Sequence, residues 1–217
     1  MKYRNILFDL DGTLTDSKPG IINSIRQAFL YFDINFDTMD LNKFIGPPLM
    51  NTLVNYIGMD LKKAEEVVEK YRDYYGKTGV FENSLYDGIQ EMLVYLKGKG
   101  YTLVIATSKP LHFTNIVLEH FNILRYFSYI SASDFSRTFD TKQRVIEDAL
   151  KKCNITDLYS TVMIGDRKYD ISAAKAVGIA TIGVLYGYGD YDELSEAGAD
   201  FIVENVQELN NLLRKED

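Results

Sequence analysis

The chain has 217 residues, 46% of them hydrophobic and 25% charged, with a formal net charge of -7. That composition excludes disordered and fibrous classes, and the length suffices for one large core with a small second domain. A pI near 5.0 argues against nucleic-acid polymers and anionic membranes as partners, since both need clustered basic charge.

Short apolar runs alternate with helical patterns. Ile6-Leu7-Phe8, Thr102 to Ala106, Thr161 to Ile164 and Ala180 to Val184 read as strands buried on both faces. Phe127 to Ala132 and Phe201-Ile202-Val203 are weaker strand candidates. Helical periodicity covers Tyr86 to Lys99, Leu111 to Phe121, Lys142 to Lys152, Tyr169 to Val177 and Val206 to Leu213. Strands alternating with helices predict an α/β fold, a doubly wound and mostly parallel sheet.

From Pro19 to Phe81 the pattern is helical throughout. Ile22, Ile25, Phe29, Leu30 and Phe32 form one apolar stripe; Leu49, Leu53, Tyr56 and Ile57 form a second; Ala64, Val67, Val68 and Tyr71 form a third. The expected organisation is therefore a core of residues 1–18 and 82–217 and an all-helical cap of residues 19–81. Lys77-Thr78-Gly79 and Asn83-Ser84 supply turn chemistry at the far end, and an insert placed there suits a lid. The tail Arg214 to Asp217 is expected to fray.

The single cysteine, Cys153, permits no internal disulfide and suits a reducing compartment; burial near a helix end is its expected role. Only Ile6-Leu7-Phe8 precede Asp9 as an apolar run, too short for a signal peptide, and no run approaches the roughly 20 residues of a membrane span. A soluble, cytoplasmic protein is expected.

Asp9-Leu10-Asp11-Gly12-Thr13 directly follows the first strand, at the edge where open α/β sheets bind ligands. Two carboxylates against Ile6-Leu7-Phe8 are costly without a cation, so Asp9 and Asp11 are expected to share a hard divalent ion, most simply Mg²⁺. Asp166 follows the Thr161 to Ile164 strand and offers a third carboxylate, with Asp170 behind it. Asp170 also suits a helix start.

Thr107-Ser108-Lys109-Pro110 ends the Thr102 to Ala106 run, and Ser108 there is expected to cap the next helix and face an anion. Thr141 before Lys142 looks like another cap. His112 and His120 lack metal-ligand spacing and are expected to be structural.

Asp9-x-Asp11-Gly-Thr-x-Thr, Ser108, Lys142 and Gly165-Asp166-x3-Asp170 resemble, in order and spacing, the motifs of the haloacid dehalogenase-like hydrolase superfamily. Phe44-Ile45-Gly46-Pro47-Pro48-Leu49 and Gly183-Val184-Leu185-Tyr186-Gly187-Tyr188-Gly189 look like its phosphoglycolate phosphatase and 5′-nucleotidase-like branch. The resemblance implies a phosphatase acting through an aspartyl-phosphate. Asp9 would be the nucleophile, and Asp11 would protonate the leaving oxygen and then deprotonate water. Mg²⁺ would sit on Asp9, the Asp11 carbonyl and Asp166, with Asp170 in or near its surroundings. Ser108 and Lys142 would hold phosphoryl oxygens, supported by Gly12, Thr107 and Lys109, and Lys142 would also hold the Asp9 carboxylate in place. Lys142 lacks the proline that follows it in many relatives, which makes Lys109 its nearest rival. Arg167 and Lys168 are expected to bridge to neighbouring carboxylates.

A small phosphorylated metabolite is the expected substrate, with nucleoside 5′-monophosphates ahead of phosphoglycolate because the insert is rich in aromatic rings able to stack on a base. A β-phosphoglucomutase-type mutase is the alternative within the same site. Asp11 argues against a metal-free dehalogenase, the insert against a receiver-like switch, and the complete motif set against an idle binding protein.

Overall fold

The computed structural model describes residues 3–133 and 141–214; the tail residues 215–217 lie outside them. In chain order the elements are β1 (Asn5–Phe8), β2 (Thr15–Asp16), α1 (Lys18–Tyr31), α2 (Leu49–Asn55), α3 (Leu61–Lys77), β3 (Ser84–Leu85) and α4 (Ile89–Gly98). There follow β4 (Thr102–Pro110), α5 (Leu111–His120), β5 (Tyr129–Ser133), α6 (Lys142–Lys152), β6 (Thr161–Gly165), α7 (Lys168–Val177), β7 (Ala180–Val184), α8 (Tyr191–Glu196), β8 (Phe201–Val203) and α9 (Val206–Arg214).

Six strands form one parallel sheet in the order β5-β4-β1-β6-β7-β8. Ile6, Leu7, Phe8, Val162, Met163 and Ile164 are fully buried, as an apolar run covered on both faces must be. Each such side chain contributes on the order of 1.5–3 kcal/mol by leaving water. On one face Val145, Ile146 and Ala149 of α6 and Ala173 and Ala174 of α7 pack over Leu7, Val104 and Met163. Cys153 closes α6 and is half-buried.

The connection after β5 crosses to the other side of β1, so the strand order reverses there. Phe8 pairs with Ile105 on one side and with Ile164 on the other. The carboxyl ends of β1, β4 and β6 are thereby neighbours, which is where such a sheet binds ligands.

Local chemistry sets the helix ends. Thr141 Oγ1 accepts from the Arg144 N–H at 3.4 Å, as the sequence predicts for the start of α6. Asp60 does the same for α3, accepting from Lys63 N–H at 3.0 Å. α4 begins at Ile89 rather than Tyr86, because Gly88 just before it takes a left-handed φ of +87 that no α-helix continues through. The α8 helix was absent from the sequence reading.

Two compact units divide the chain: one holds the residues up to Asp16 and from Leu85 onward, the other spans Ser17–Ser84. The second unit is helical. Ile22, Ile25, Phe29, Leu53, Ala64, Val67 and Val68 are buried within the chain, whereas Leu30 of the expected α1 stripe is 59% exposed. Its position falls outside the face that carries Ile22, Ile25 and Phe29. Rings close this unit's interior: Phe44 meets Phe29 and Tyr56 edge-on, and Tyr71 stacks on Tyr75. Lys43, Lys63 and Lys70 stand over the rings of Tyr56, Phe32 and Tyr31. No helix among the described residues is long and apolar enough to cross a membrane.

Candidate active site

Asp9 leaves β1 with its N–H still bonded to the Ile164 carbonyl at 2.9 Å, so the strand ladder itself aims the first carboxylate. The chain then turns through Gly12 at φ +86, a left-handed conformation that glycine adopts without strain. A side chain at Gly12 would also collide with the Asp166 carboxylate. Gly187, in the loop after β7, approaches Asp166 equally closely.

One oxygen each from Asp9, Asp166 and Asp170 falls within 4.8 Å of the others. Asp166 is fully buried; its Oδ1 accepts from Thr13 Oγ1 at 3.3 Å and its Oδ2 from Tyr188 N–H at 2.8 Å. Asp170 stands at the third position of α7 rather than at its cap, which is Arg167; from there its Oδ2 reaches back to accept from the Arg167 N–H at 3.1 Å. Its other oxygen faces Lys142 Nζ at 2.7 Å, and the same ammonium reaches Asp9 Oδ1 at 2.7 Å.

Burial, reinforced by Asp170 and Asp9, pushes the Asp166 carboxyl well above its usual range. Burial also pushes Asp170 up to about 6, against the pull of Lys142. On Lys142 burial favours the neutral amine, but Asp170 and Asp9 win and hold it charged. Asp9 and Asp170 thus share one ammonium, and Asp166 lies buried beside them with only a hydroxyl and a backbone N–H donating to it. That deficit of positive charge and the all-oxygen donor set fit a hard divalent cation.

Asp11 stands apart from this cluster. The sequence places either its carboxylate or its carbonyl on the cation; both carboxylate oxygens accept from Lys109 Nζ, each at 2.9 Å. The reason is that Lys109, buried at the end of β4, supplies the compensating charge itself. Lys109 was expected to hold phosphate, or to rival Lys142; the two lysines serve different carboxylates.

Ser108 is exposed at the same strand end. It does not cap α5: β4 continues to Pro110, which itself precedes Leu111 with no side-chain cap. The ladder with β5 shifts between Thr107 and Pro110, and Thr107 Oγ1 accepts from the Lys109 N–H at 3.2 Å, so a strand irregularity replaces the expected cap. The Ser108 carbonyl accepts from Ser133 Oγ at 2.7 Å.

Arg167 forms the expected bridge, with Nε 2.8 Å from Glu193 Oε1; the Lys168 backbone N–H donates to the same oxygen at 2.9 Å. His112 and His120 lie outside the cluster, each ring beside that of the next phenylalanine.

Sequence reasoning missed Thr13 and Tyr188 as supports of Asp166, and Tyr186, whose hydroxyl donates to the Thr13 carbonyl at 3.0 Å. The Tyr186-Gly187-Tyr188-Gly189 run after β7 carried the signal, since closely spaced glycines at a strand end permit close backbone approach. Tyr188 also reaches Asp16 Oδ1 through its hydroxyl at 3.0 Å.

Comparison with known proteins places this geometry. A 5′-nucleotidase from Pseudomonas aeruginosa is 42% identical over 195 residues, covering 89% of this chain and 88% of its own length. The tyrosine-protein kinase PtkA of Mycobacterium tuberculosis is 35% identical over 211 residues, covering 96% of this chain and 72% of its own. A solved structure from Clostridium acetobutylicum, described as a predicted phosphatase, superposes with a TM-score of 0.92 at 43% identity, covering 99% of this chain and all of that one. The family model of the haloacid dehalogenase-like hydrolases matches residues 6–184, a span that contains every carboxylate and lysine of the cluster. The chain belongs to the haloacid dehalogenase-like hydrolase family.

Proposed function

We propose that this phosphatase acts on nucleoside 5′-monophosphates, with Asp9 carrying the phosphoryl group between two half-steps and Mg²⁺ as the cation. The observation that carries the reading is the division of charge at the sheet edge: Asp9, Asp166 and Asp170 converge with Lys142 on Asp9 and Asp170, while Asp11 is held separately by Lys109. A nucleophile fixed by an ammonium and a second carboxylate kept out of the cluster are what two-step hydrolysis requires.

In the first half-step an Asp9 oxygen bonds phosphorus and the bond to the leaving oxygen breaks, that oxygen taking a proton from Asp11. In the second, water attacks the same phosphorus and gives its proton to Asp11, while the phosphorus–oxygen bond to Asp9 breaks and restores its carboxylate. The Ser108 hydroxyl and Lys142 ammonium hold phosphoryl oxygens, with the Thr107 and Gly12 segments forming the cradle. Mg²⁺ on Asp9, Asp166, Asp170 and the Asp11 carbonyl would offset the repulsion between a carboxylate nucleophile and a phosphate dianion. The Ser17–Ser84 unit serves as the cap, and the enzyme works in the cytoplasm on soluble metabolites. The similarity to a 5′-nucleotidase supports nucleotides ahead of phosphoglycolate.

The test is phosphate release from nucleoside monophosphates, phosphoglycolate, sugar phosphates and p-nitrophenyl phosphate, with Mg²⁺ and with excess chelator. Nucleotides are expected to give the highest kcat/KM, and chelator to abolish turnover. A far higher kcat/KM for phosphoglycolate overturns the nucleotide assignment. Asp9→Asn is expected to lose at least about 10³ in kcat with unchanged circular dichroism. Wild-type-like turnover by that variant removes Asp9 from the nucleophile's role.

A further inference from the structure

We propose that Lys109 is a positioning residue for the second half-step, holding Asp11 where it takes the proton from the attacking water; this rests on the aspartyl-phosphate reading above. Lysine is rarely buried without a partner, yet the Lys109 side chain is only 4% exposed. Its partner is the Asp11 carboxylate, met at both oxygens at 2.9 Å. Two equal contacts from one ammonium fix the carboxylate's rotation as well as its position.

The backbone explains how Lys109 reaches it. A regular strand would turn successive side chains to opposite faces. Here the register shift between Thr107 and Pro110, pinned by the Lys109 N–H on Thr107 Oγ1, breaks that alternation at the sheet's carboxyl edge. Lys109 comes from β4 and Asp11 from the segment after β1, adjacent strands, so the sheet order holds the pair together. The Lys142 ammonium meanwhile pairs with Asp9 and Asp170. The two lysines therefore divide the work: Lys142 holds the nucleophile, Lys109 holds the proton acceptor.

The second half-step shows why this matters. A water oxygen bonds phosphorus, and the phosphorus–oxygen bond to Asp9 breaks with its electron pair returning to the Asp9 carboxylate. The water's proton goes to Asp11.

The experiment is pre-steady-state turnover of p-nitrophenyl phosphate by Lys109→Met, with radiolabelled phosphate on the protein trapped in acid. The nitrophenol leaving group needs little protonation, so kcat/KM reports attack by Asp9 and stays within about three-fold of wild type, while kcat falls roughly 10–100-fold. A nitrophenol burst approaching one equivalent per chain is expected, with more phosphate trapped than on wild type. Lys109→Arg, whose fork meets both carboxylate oxygens, recovers most of kcat. Lys109→Gln keeps a donor on a shorter stem and carries the same test if Lys109→Met does not fold. Parallel loss of kcat and kcat/KM without a burst overturns the proposal, as do unchanged kinetics. Asp11→Asn is the separate control: no trapped phosphate on that variant either would sink the aspartyl-phosphate reading itself.

Discussion

Asp166 shows at the scale of one residue how a buried charge is tolerated. Thr13 Oγ1 and the Tyr188 N–H each donate one bond to it, and two glycines, Gly12 and Gly187, clear the space that their backbones need. Gly12→Ala would place a methyl against the Asp166 carboxylate and ask alanine to hold φ +86. Strain and displacement together are expected to cost about 2–4 kcal/mol. Thermal unfolding and kcat measured on that variant check this; a melting temperature and kcat matching wild type would mean that the turn relaxes freely. Asp9, Asp166 and Asp170 were readable as a cluster because each follows a buried strand or opens a helix. The partner of Asp11 was not readable. Whether a lysine at a strand end faces solvent or a carboxylate depends on a two-residue ladder shift, which leaves no mark in composition or periodicity.

Among elements, those with strong apolar periodicity were legible. α6 runs over Lys142–Lys152 as its pattern predicts, and β1, β6 and β7 follow their apolar runs. The α8 helix was invisible because Tyr191–Glu196 buries only Leu194 and otherwise reads as an acidic loop. The junctions between elements follow tertiary bonds in the same way. Asp200, just before β8, accepts from Thr181 N–H and Oγ1 of β7, both at 2.9 Å, and from Lys175 of α7. Burial is the largest single influence and raises its carboxyl, but the Lys175 and Thr181 bonds together prevail and hold it below its usual value. A depressed carboxylate contributes stability above its unfolded value and loses it as pH falls through the folded one. Asp200→Asn is therefore expected to lower the melting temperature near pH 7 but not near pH 2. Asp200 is exposed and solvent-screened, so the neutral-pH effect should be about 0.5–1 kcal/mol, or about 1–4 °C. An equal deficit at both pH values would show that charge is not the cause.

At the scale of the whole molecule, the carboxylate cluster makes stability depend on its cation. A ligand at about 100 times its Kd adds about 2.7 kcal/mol, or about 5–10 °C for a chain of this size. The pH dependence has a definite sign. Asp170 is raised to about 6 in the folded state without a cation, so the folded protein retains a proton that the unfolded one releases. Its contribution is full below about pH 4 and is lost as pH rises through about 6, with Asp166 displaced in the same direction. The cation replaces that proton, so the Mg²⁺-induced rise in melting temperature should be larger at pH 8 than at pH 5. Asp166→Asn should abolish most of the rise; a rise indifferent to pH and to that substitution would place the cation elsewhere.

By itself the sequence determined the family, the parallel α/β core and the carboxylates at its carboxyl edge, because strand periodicity and motif order are local properties written in neighbouring residues. Only the tertiary structure decided the rest of the charge partition there: Lys142 on Asp170 as well as on Asp9, Lys109 on Asp11, and Glu193 as the partner of Arg167. Those pairings join residues far apart in the chain. They depend on the strand order that brings β1, β4 and β6 together and on ångström-scale choices of ladder register and rotamer, and no pattern of residue types along the chain encodes such choices.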